Sequence, residues 1–548
     1  MGTLSSSSLL LSAIVLPLFI LAYQYILHPA FGSPLRKIPA AHWSCHISPA
    51  WILWARYGGK ENRTLYTAHK QHGPIVRIGP NELSINSIEG VKTVYQGGFD
   101  KHQWYSVFDN YGVPCMFSSV HSKHHSIRKR MVSHVYSKSY INSSPSLAAQ
   151  SDVILNARLV PLLESSMSES QIPHGVDVHS LFSAVAMDFI AAYCFGIRHG
   201  ANFIQNKALR DHWLCLYSTR KGYGFFAQEL PRLSKALGSL GISLTPAWVA
   251  AANRELETWC KKHSDAAIRH LQEPGPSSAN SADDPVVVRA LLSGFAKEEA
   301  ANGPDSPIYS TAILRPELSV ASEVLDHVLA GQETTGVALT YLSHHLSQCP
   351  DLQRQLRAEL LSLRPNMRLL PGGKMAMPDA KQLDGLPVLD AVITETVRRY
   401  TPAGGPEPRV APAPSCRIGP YEDIPGGVRV SASAFNLHRD ETAFPDPETW
   451  DYTRWLLPGP GSDGDGDGDG NKKKRKDVRR QFWGFSSGGR MCLGSNFAMH
   501  DMKLTVAAIY TNYTSHVVDD RGAEPTDAYT GHPRSNSLYL RFERVGES

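Results

Sequence analysis

None of the eight cysteines (Cys45, Cys115, Cys194, Cys215, Cys260, Cys349, Cys416 and Cys492) lies within a C-x-x-C pair. Over 548 residues they are too scattered for a disulfide framework. This spacing predicts a reducing compartment, with seven of the thiols acting as small buried hydrophobes. Cys492 differs, because glycines and an arginine surround it. A strong charge of one sign is also lacking: the net charge is +4, which gives no argument for nucleic acid as a partner. Even that excess is local, since residues 471–480 carry +6 and leave the remainder at −2. No internal repeat is found, apart from an alternating Asp-Gly run at 463–470. With 42% hydrophobic and 19% charged residues, a disordered chain is excluded as well.

What is present begins with an uncharged apolar stretch, Leu9–Leu27, which as a helix spans roughly 28 Å, close to a bilayer's hydrocarbon thickness. Tyr23 and Tyr25 fall near its end, and Arg36 and Lys37 follow, so the bulk of the chain is expected in the cytosol. A cleaved signal peptide is the alternative, but the stretch lacks a basic leading region and its apolar core is longer than such peptides use. Residues 1–30 are therefore expected to be a single-pass anchor. A stiff proline-bracketed connector, Pro34–Pro39, comes next.

From there to about residue 270 the pattern is mainly helical, with a strand-like stretch around Ile75–Ile85. Residues 273–310 read as a surface loop, from their Pro, Ser, Gly, Asn and Asp content. Helices are expected at Leu318–Leu346, Pro350–Leu363 and Leu386–Tyr400, then a small sheet, a helix starting near Cys492 and a strand at Ser537–Phe542. Residues 458–480 stand apart as a low-complexity surface insertion. Their Asp-Gly run lacks the glutamate and apolar anchors of a calcium loop.

The stretch Phe485-Ser-Ser-Gly488-Gly-Arg490-Met-Cys492-Leu-Gly494 carries the chemistry. A thiolate held near a metal needs backbone donors close by, and glycines let the chain fold tightly around it. A helix starting just after Cys492 would favour the thiolate through its dipole. The stretch resembles the haem-binding signature F-x-x-G-x-R-x-C-x-G of the cytochrome P450 family, at all five fixed positions. The resemblance implies that Cys492 is the axial ligand of haem b and that Arg490 bonds a propionate, with Phe485, Gly488 and Gly494 shaping the pocket.

Three further stretches match the family in order. Ala330-Gly331-Gln332-Glu333-Thr334-Thr335 resembles its oxygen-activating helix motif, which implies that Thr334 and Glu333 are the catalytic pair. In that segment the Thr334 hydroxyl can bond the Ala330 carbonyl and open the helix, while Gly331 leaves room for a flat ligand. Glu395-Thr-Val-Arg398, on one helix face, resembles the E-x-x-R motif, completed by Arg454 in a structural role. His124 or His125, with Arg128, resembles the helix that meets a propionate, and Arg409 resembles the second propionate arginine.

The implied architecture is mostly α with small β-sheets (α+β), a P450-like single haem domain over residues 31–548 behind the transmembrane helix. The details look most like fungal microsomal members. The implied reaction inserts one oxygen atom of O₂ into an apolar small molecule, a terpenoid or polyketide of secondary metabolism being the leading expectation. NADPH electrons would arrive through a separate cytochrome P450 reductase, since the chain ends too soon after Cys492 for a fused flavin domain. Endoplasmic-reticulum membrane is the expected location. A haem-thiolate isomerase or dehydratase is the first alternative, although Glu333 and Thr334 are both retained. A non-enzymatic haem sensor is the second. Trp104–Val120 and Trp213–Phe226 are the expected substrate-facing segments.

Overall fold

The computed structural model describes residues 15–168, 173–273, 280–456 and 478–546. Helices dominate, and nine strands are present among the described residues: β1 Ile75–Gly79, β2 Glu82–Ile85, β3 Val176–Asp177, β4 Pro406–Val410, β5 Ser415–Ile418, β6 Tyr421–Pro425, β7 Arg429–Ser433, β8 Tyr513–Asp519 and β9 Tyr539–Arg544. They form a four-stranded sheet in the order β1-β2-β7-β4, a three-stranded sheet β3-β9-β8 and a β5-β6 hairpin. The expected mostly helical class with small sheets is therefore found. By compactness the chain divides into two units.

The first unit takes in Met1–His102, Gly405–Leu437 and Ser487–Gly489. Its N-terminal helix, Val15–Gly32, has a mean hydropathy of 1.4 and is 6% buried, so almost all of its apolar surface is left uncovered by protein. Residues 9–14 of the expected span lie outside the described residues. In the four-stranded sheet every residue of β1, β2 and β7 is buried. The β1 residue Arg77 is buried too, and its guanidinium donates to the carbonyls of Pro29 (3.0 Å), Gly79 (3.2 Å) and Pro80 (2.7 Å). That ties the end of the N-terminal helix to the sheet.

Glu82 of β2 is bracketed by Arg56 at 2.5 Å and Arg429 at 3.0 Å. Burial works against its ionisation, but Arg429 and Arg56 outweigh burial and bring its pKa from 4.5 down to about 2. A depressed carboxyl contributes stability that is present above its ordinary pKa and lost as pH falls through the folded value. Glu82→Gln should therefore cost roughly 3 kcal/mol at neutral pH. It should also flatten the loss of stability between pH 4.5 and about 2. A denaturation series across that range checks it, and an unchanged acid slope in the variant would place the effect elsewhere.

The second unit comprises Gln103–Gly404, His438–Ser486 and Arg490–Ser548. The helices that matter here are α1 Ser122–Val132, α2 Val178–Phe195, α3 Lys207–Lys221, α4 Ala247–Gln272, α5 Val286–Asn302, α6 Pro316–Gln348, α7 Pro350–Leu360, α8 Pro387–Arg399 and α9 Ser495–Asn512. Prolines at the first position of α6, α7 and α8 preset the backbone where an N–H has no partner anyway. α2 starts on Asp177, whose carboxylate accepts from the amides of His179 (3.1 Å) and Ser180 (3.4 Å). It is apolar and long enough to cross a membrane, yet 89% buried, and so forms the core rather than a second span.

α6 lies directly on α2. A Cβ added at Gly336 would meet Ser183 at 3.0 Å, and one at Gly331 would meet Ile190 at 3.1 Å. Gly331 thus serves close helix packing. The expected loop at 273–310 is also corrected. It contains α5, which buries Val286, Val287, Val288, Ala290, Leu291 and Phe295, so an apolar face overrides the polar composition on either side. The expected strand near the C-terminus sits two residues later, as β9. All eight cysteines are unbridged, but of the seven expected to be buried Cys215 and Cys349 are exposed and Cys416 is half-buried. The insertion at 458–480 lies outside the described residues up to residue 477.

Candidate active site

The cysteine loop closes on itself through one backbone bond, from the Cys492 amide to the Phe485 carbonyl at 3.0 Å. Gly488–Arg490 make a turn of 3₁₀-helix. Gly488 must be glycine: its φ is +75°, and an added Cβ would stand 2.2 Å from the Tyr95 carbonyl oxygen. Gly494 is different, with φ −84° as the residue before α9, and a Cβ there would meet no described atom within 4 Å. Cys492 is exposed and stands three residues before α9, where the helix dipole favours a thiolate. Lys129 of α1 adds to this, donating to the Met491 carbonyl at 3.2 Å and placing its ammonium beside the cysteine. Phe485 packs edge-on to Phe482, 6.3 Å between centroids.

Arg490 reaches the segment that leads into α1, donating to the carbonyls of Ser119 (2.8 Å) and Val120 (2.6 Å). On α1 itself, Arg128 is 1% exposed, and none of its three guanidinium nitrogens has a hydrogen-bond partner among the described residues. Its nearest carboxylate, Glu323 of α6, is 3.8 Å away, an ion pair without a hydrogen bond. A buried guanidinium so poorly satisfied is costly unless an anion completes its shell. The two carboxylates of haem are such anions, and Arg128 fits them on the same unit as Cys492. One turn earlier His125 is buried, whereas His124 is half-buried and packs edge-on to His121 at 5.7 Å. In the first unit, Arg409 is buried with its guanidinium 4.7 Å over the Tyr95 ring and 3.3 Å from Glu407.

The Thr334 hydroxyl donates to the Ala330 carbonyl at 2.8 Å, as its four-residue spacing predicts. The expected opening of the helix does not follow, since α6 runs unbroken over 33 residues. Glu333 is held in place by residues far away in the chain. It accepts from Tyr217 of α3 (2.6 Å) and Thr530 (3.0 Å), and Lys221 of α3 pairs with it directly. Burial alone would raise its pKa, but the Lys221 ammonium and these hydrogen bonds outweigh burial and hold the carboxyl below its ordinary range. Tyr217 and Lys221 carried no sequence signal for this role.

Glu395 and Arg398 of α8 are both wholly buried and bidentate, at 2.7 and 2.9 Å. Arg398 also donates to the carbonyls of His438 (3.1 Å), Pro447 (2.7 Å) and Thr449 (3.0 Å). Glu395 accepts from the Asp451 amide and the Trp455 indole, each at 2.9 Å. Arg454 joins more loosely, 3.6 Å from Glu395 and 3.2 Å from the Asp446 carbonyl. His438, overlooked in the sequence, connects this network to the segment before the cysteine loop. Its Nε2 accepts from the Trp483 amide at 2.8 Å, and its ring stacks on Phe482. Burial pushes its pKa down to about 3, so it stays a neutral acceptor.

The aromatic residues expected to face substrate divide. Trp213 is a core residue against Phe203 and Trp259, Tyr217 belongs to Glu333, and exposed Tyr223 packs on Trp248. Tyr223 and the half-buried pair Phe225 and Phe226 remain open to a ligand from outside the core.

A helical protein that sets one loop cysteine at a helix start, with an arginine starved of hydrogen bonds on the same unit, is suited to an anionic, metal-centred cofactor. The sequence profile described as Cytochrome P450 matches residues 316–538. A cytochrome P450 monooxygenase of Aspergillus hancockii, hkm5, is 26% identical over 535 residues, covering 95% of this chain and 93% of that protein. The cytochrome P450 monooxygenase orf2 of Aspergillus niger is 23% identical, with 92% of each chain covered. The cytochrome P450 monooxygenase aflV of Aspergillus parasiticus is 26% identical, covering 88% of this chain and 86% of its own. Over residues 316–538 the chain matches the cytochrome P450 family, and along most of its length it is similar to fungal cytochrome P450 monooxygenases.

Proposed function

We propose that this chain is a cytochrome P450 monooxygenase that oxidises an apolar small molecule of fungal secondary metabolism, with Cys492 as the residue whose thiolate would hold haem b. What carries this reading is the buried Arg128, lacking hydrogen-bond partners among the described residues, on the same unit as Cys492. When bound, thiolate-ligated haem supplies activation of O₂, the thiolate pushing electron density toward O–O cleavage. Arg128, Arg490 and His124 would hold the cofactor's carboxylates, while Phe485 and Gly494 would shape the loop around its ligand. Thr334 offers a hydroxyl proton and Glu333 supplies the proton chain behind it, its charge governed by Lys221. Glu395, Arg398 and Arg454 hold the polypeptide that carries the ligand. Residues 31–548 act as one haem domain behind a single-pass anchor in the endoplasmic reticulum, and a separate NADPH-dependent reductase delivers electrons. The anchor is supported by the uncovered apolar helix Val15–Gly32.

Thr334→Ala tests the oxygen chemistry. A positioned proton donor is worth about 10²–10⁴-fold, so product formation should fall by about 10²-fold while NADPH consumption continues and peroxide accumulates. The absorption spectrum should not change. Unaltered coupling with the true substrate, found by screening spectral shifts against terpenoids and polyketides, would favour an isomerase that needs no external electrons.

A further inference from the structure

Between α1 and α6 lies a buried set of polar groups that the oxygen chemistry does not use. Both carboxylate oxygens of Glu323 accept from one amide, that of Met116, at 2.9 and 3.1 Å. Arg128 stands 3.8 Å from one oxygen and His327 Nε2 stands 3.8 Å from the other. His327 Nδ1 pairs with the Tyr136 hydroxyl at 3.0 Å, and its Nε2 has no hydrogen-bond partner among the described residues. With Tyr136 donating to Nδ1, the ring proton sits on Nε2, the nitrogen that faces Glu323. All four side chains are buried.

The charged and titratable groups around Glu323 come from each element packed on it. Asp326 and His327 are on α6, Arg128 is on α1, and Cys115 lies on the segment before α1, where Asp109 also feels the Arg128 charge. Burial pushes His327 down to about 4 and the Cys115 thiol up, so both are neutral at pH 7. Glu323 is raised to about 7 by burial and Asp326, against the pull of Arg128.

We propose that Glu323 is a positioning residue that shares Arg128 with a haem carboxylate and takes up a proton when the cofactor gains an electron. This rests on the reading above in which Arg128 meets a haem carboxylate. Two buried carboxylates on one guanidinium cannot both be fully compensated, so one of them is the site where added negative charge is relieved. Reduction adds one electron from an external one-electron donor. One proton from solvent then forms an O–H bond at Glu323, so the charge of the site is unchanged and no other bond is made or broken. The Met116 amide, at 2.9 and 3.1 Å, supplies the hydrogen bonding that keeps the ionised form tolerable before reduction.

The test is a spectroelectrochemical titration of the haem-loaded full chain, without turnover, from pH 6 to 9. The wild-type potential should be level on the acid side and fall beyond a break at or above about 7. The slope should approach a tenfold change in reduction constant per pH unit, about 59 mV. Glu323→Gln should keep the thiolate spectrum and lose the slope. A wild-type potential that is flat across the range, or a Glu323→Gln slope equal to wild type, overturns the proposal. The wild-type arm decides the matter even if the variant does not fold. Absence of a thiolate-ligated haem spectrum in the wild type would instead refute the underlying reading, and this proposal with it.

Discussion

Glu395→Ala should yield little folded protein. The carboxylate accepts two bonds from Arg398, one from the Asp451 amide and one from the Trp455 indole. Its removal strands all four donors at a site that water does not reach. Breaking one side of a buried pair costs about 3–5 kcal/mol, a large share of the 5–15 kcal/mol that typically separates folded from unfolded chains. Arg398 meanwhile keeps its three backbone acceptors, so the damage would centre on the 447–455 segment that precedes the cysteine loop. Arg454→Ala should cost less, because Arg454 contributes two loose ion pairs, at 3.6 Å to Glu395 and 4.0 Å to Asp451, and one bond to the Asp446 carbonyl. Thermal unfolding of the three proteins checks the order. A Glu395→Ala protein as stable as wild type would mean that the network contributes nothing net.

Cys492→Ser should separate folding from ligation. The loop is closed by the backbone bond to Phe485 and by Arg490 on the carbonyls of Ser119 and Val120, none of which uses the sulfur. The variant should therefore unfold within a few degrees of wild type. It should lose the thiolate-ligated spectrum completely, since a serine hydroxyl is not ionised at neutral pH and cannot replace the thiolate. The reduced, CO-bound absorption spectrum reads this directly. A variant that unfolded at much lower temperature would give Cys492 a structural role as well.

Much of the helical frame was legible because local signals fix it. Proline at the first position and a sustained apolar stripe place α6, α7 and α8 within three residues of their expected ends. α5 was hidden by the Pro- and Ser-rich residues before it, although its own Val-Val-Val and Leu-Leu runs bury well. The site divides the same way. A ten-residue loop around Cys492 and the four-residue Ala330–Thr334 bond are local patterns. Arg128 with Glu323, Lys221 with Glu333 and His438 with Trp483 join residues 195, 112 and 45 positions apart. Nothing in the composition marks such pairs, because only the packed helices bring them together. Gly331 has a packing role that its motif position did not suggest: the nearest obstacle to a side chain there is Ile190 of α2.

The central claim, that the Cys492 sulfur ligates iron, is tested most directly by iron-edge X-ray absorption of the purified full chain. The spectrum of the wild-type protein should require one sulfur in the first coordination shell alongside the porphyrin nitrogens, and that sulfur should vanish in Cys492→Ser. A wild-type spectrum fitted by nitrogen and oxygen alone, or a sulfur that persists in Cys492→Ser, would contradict it.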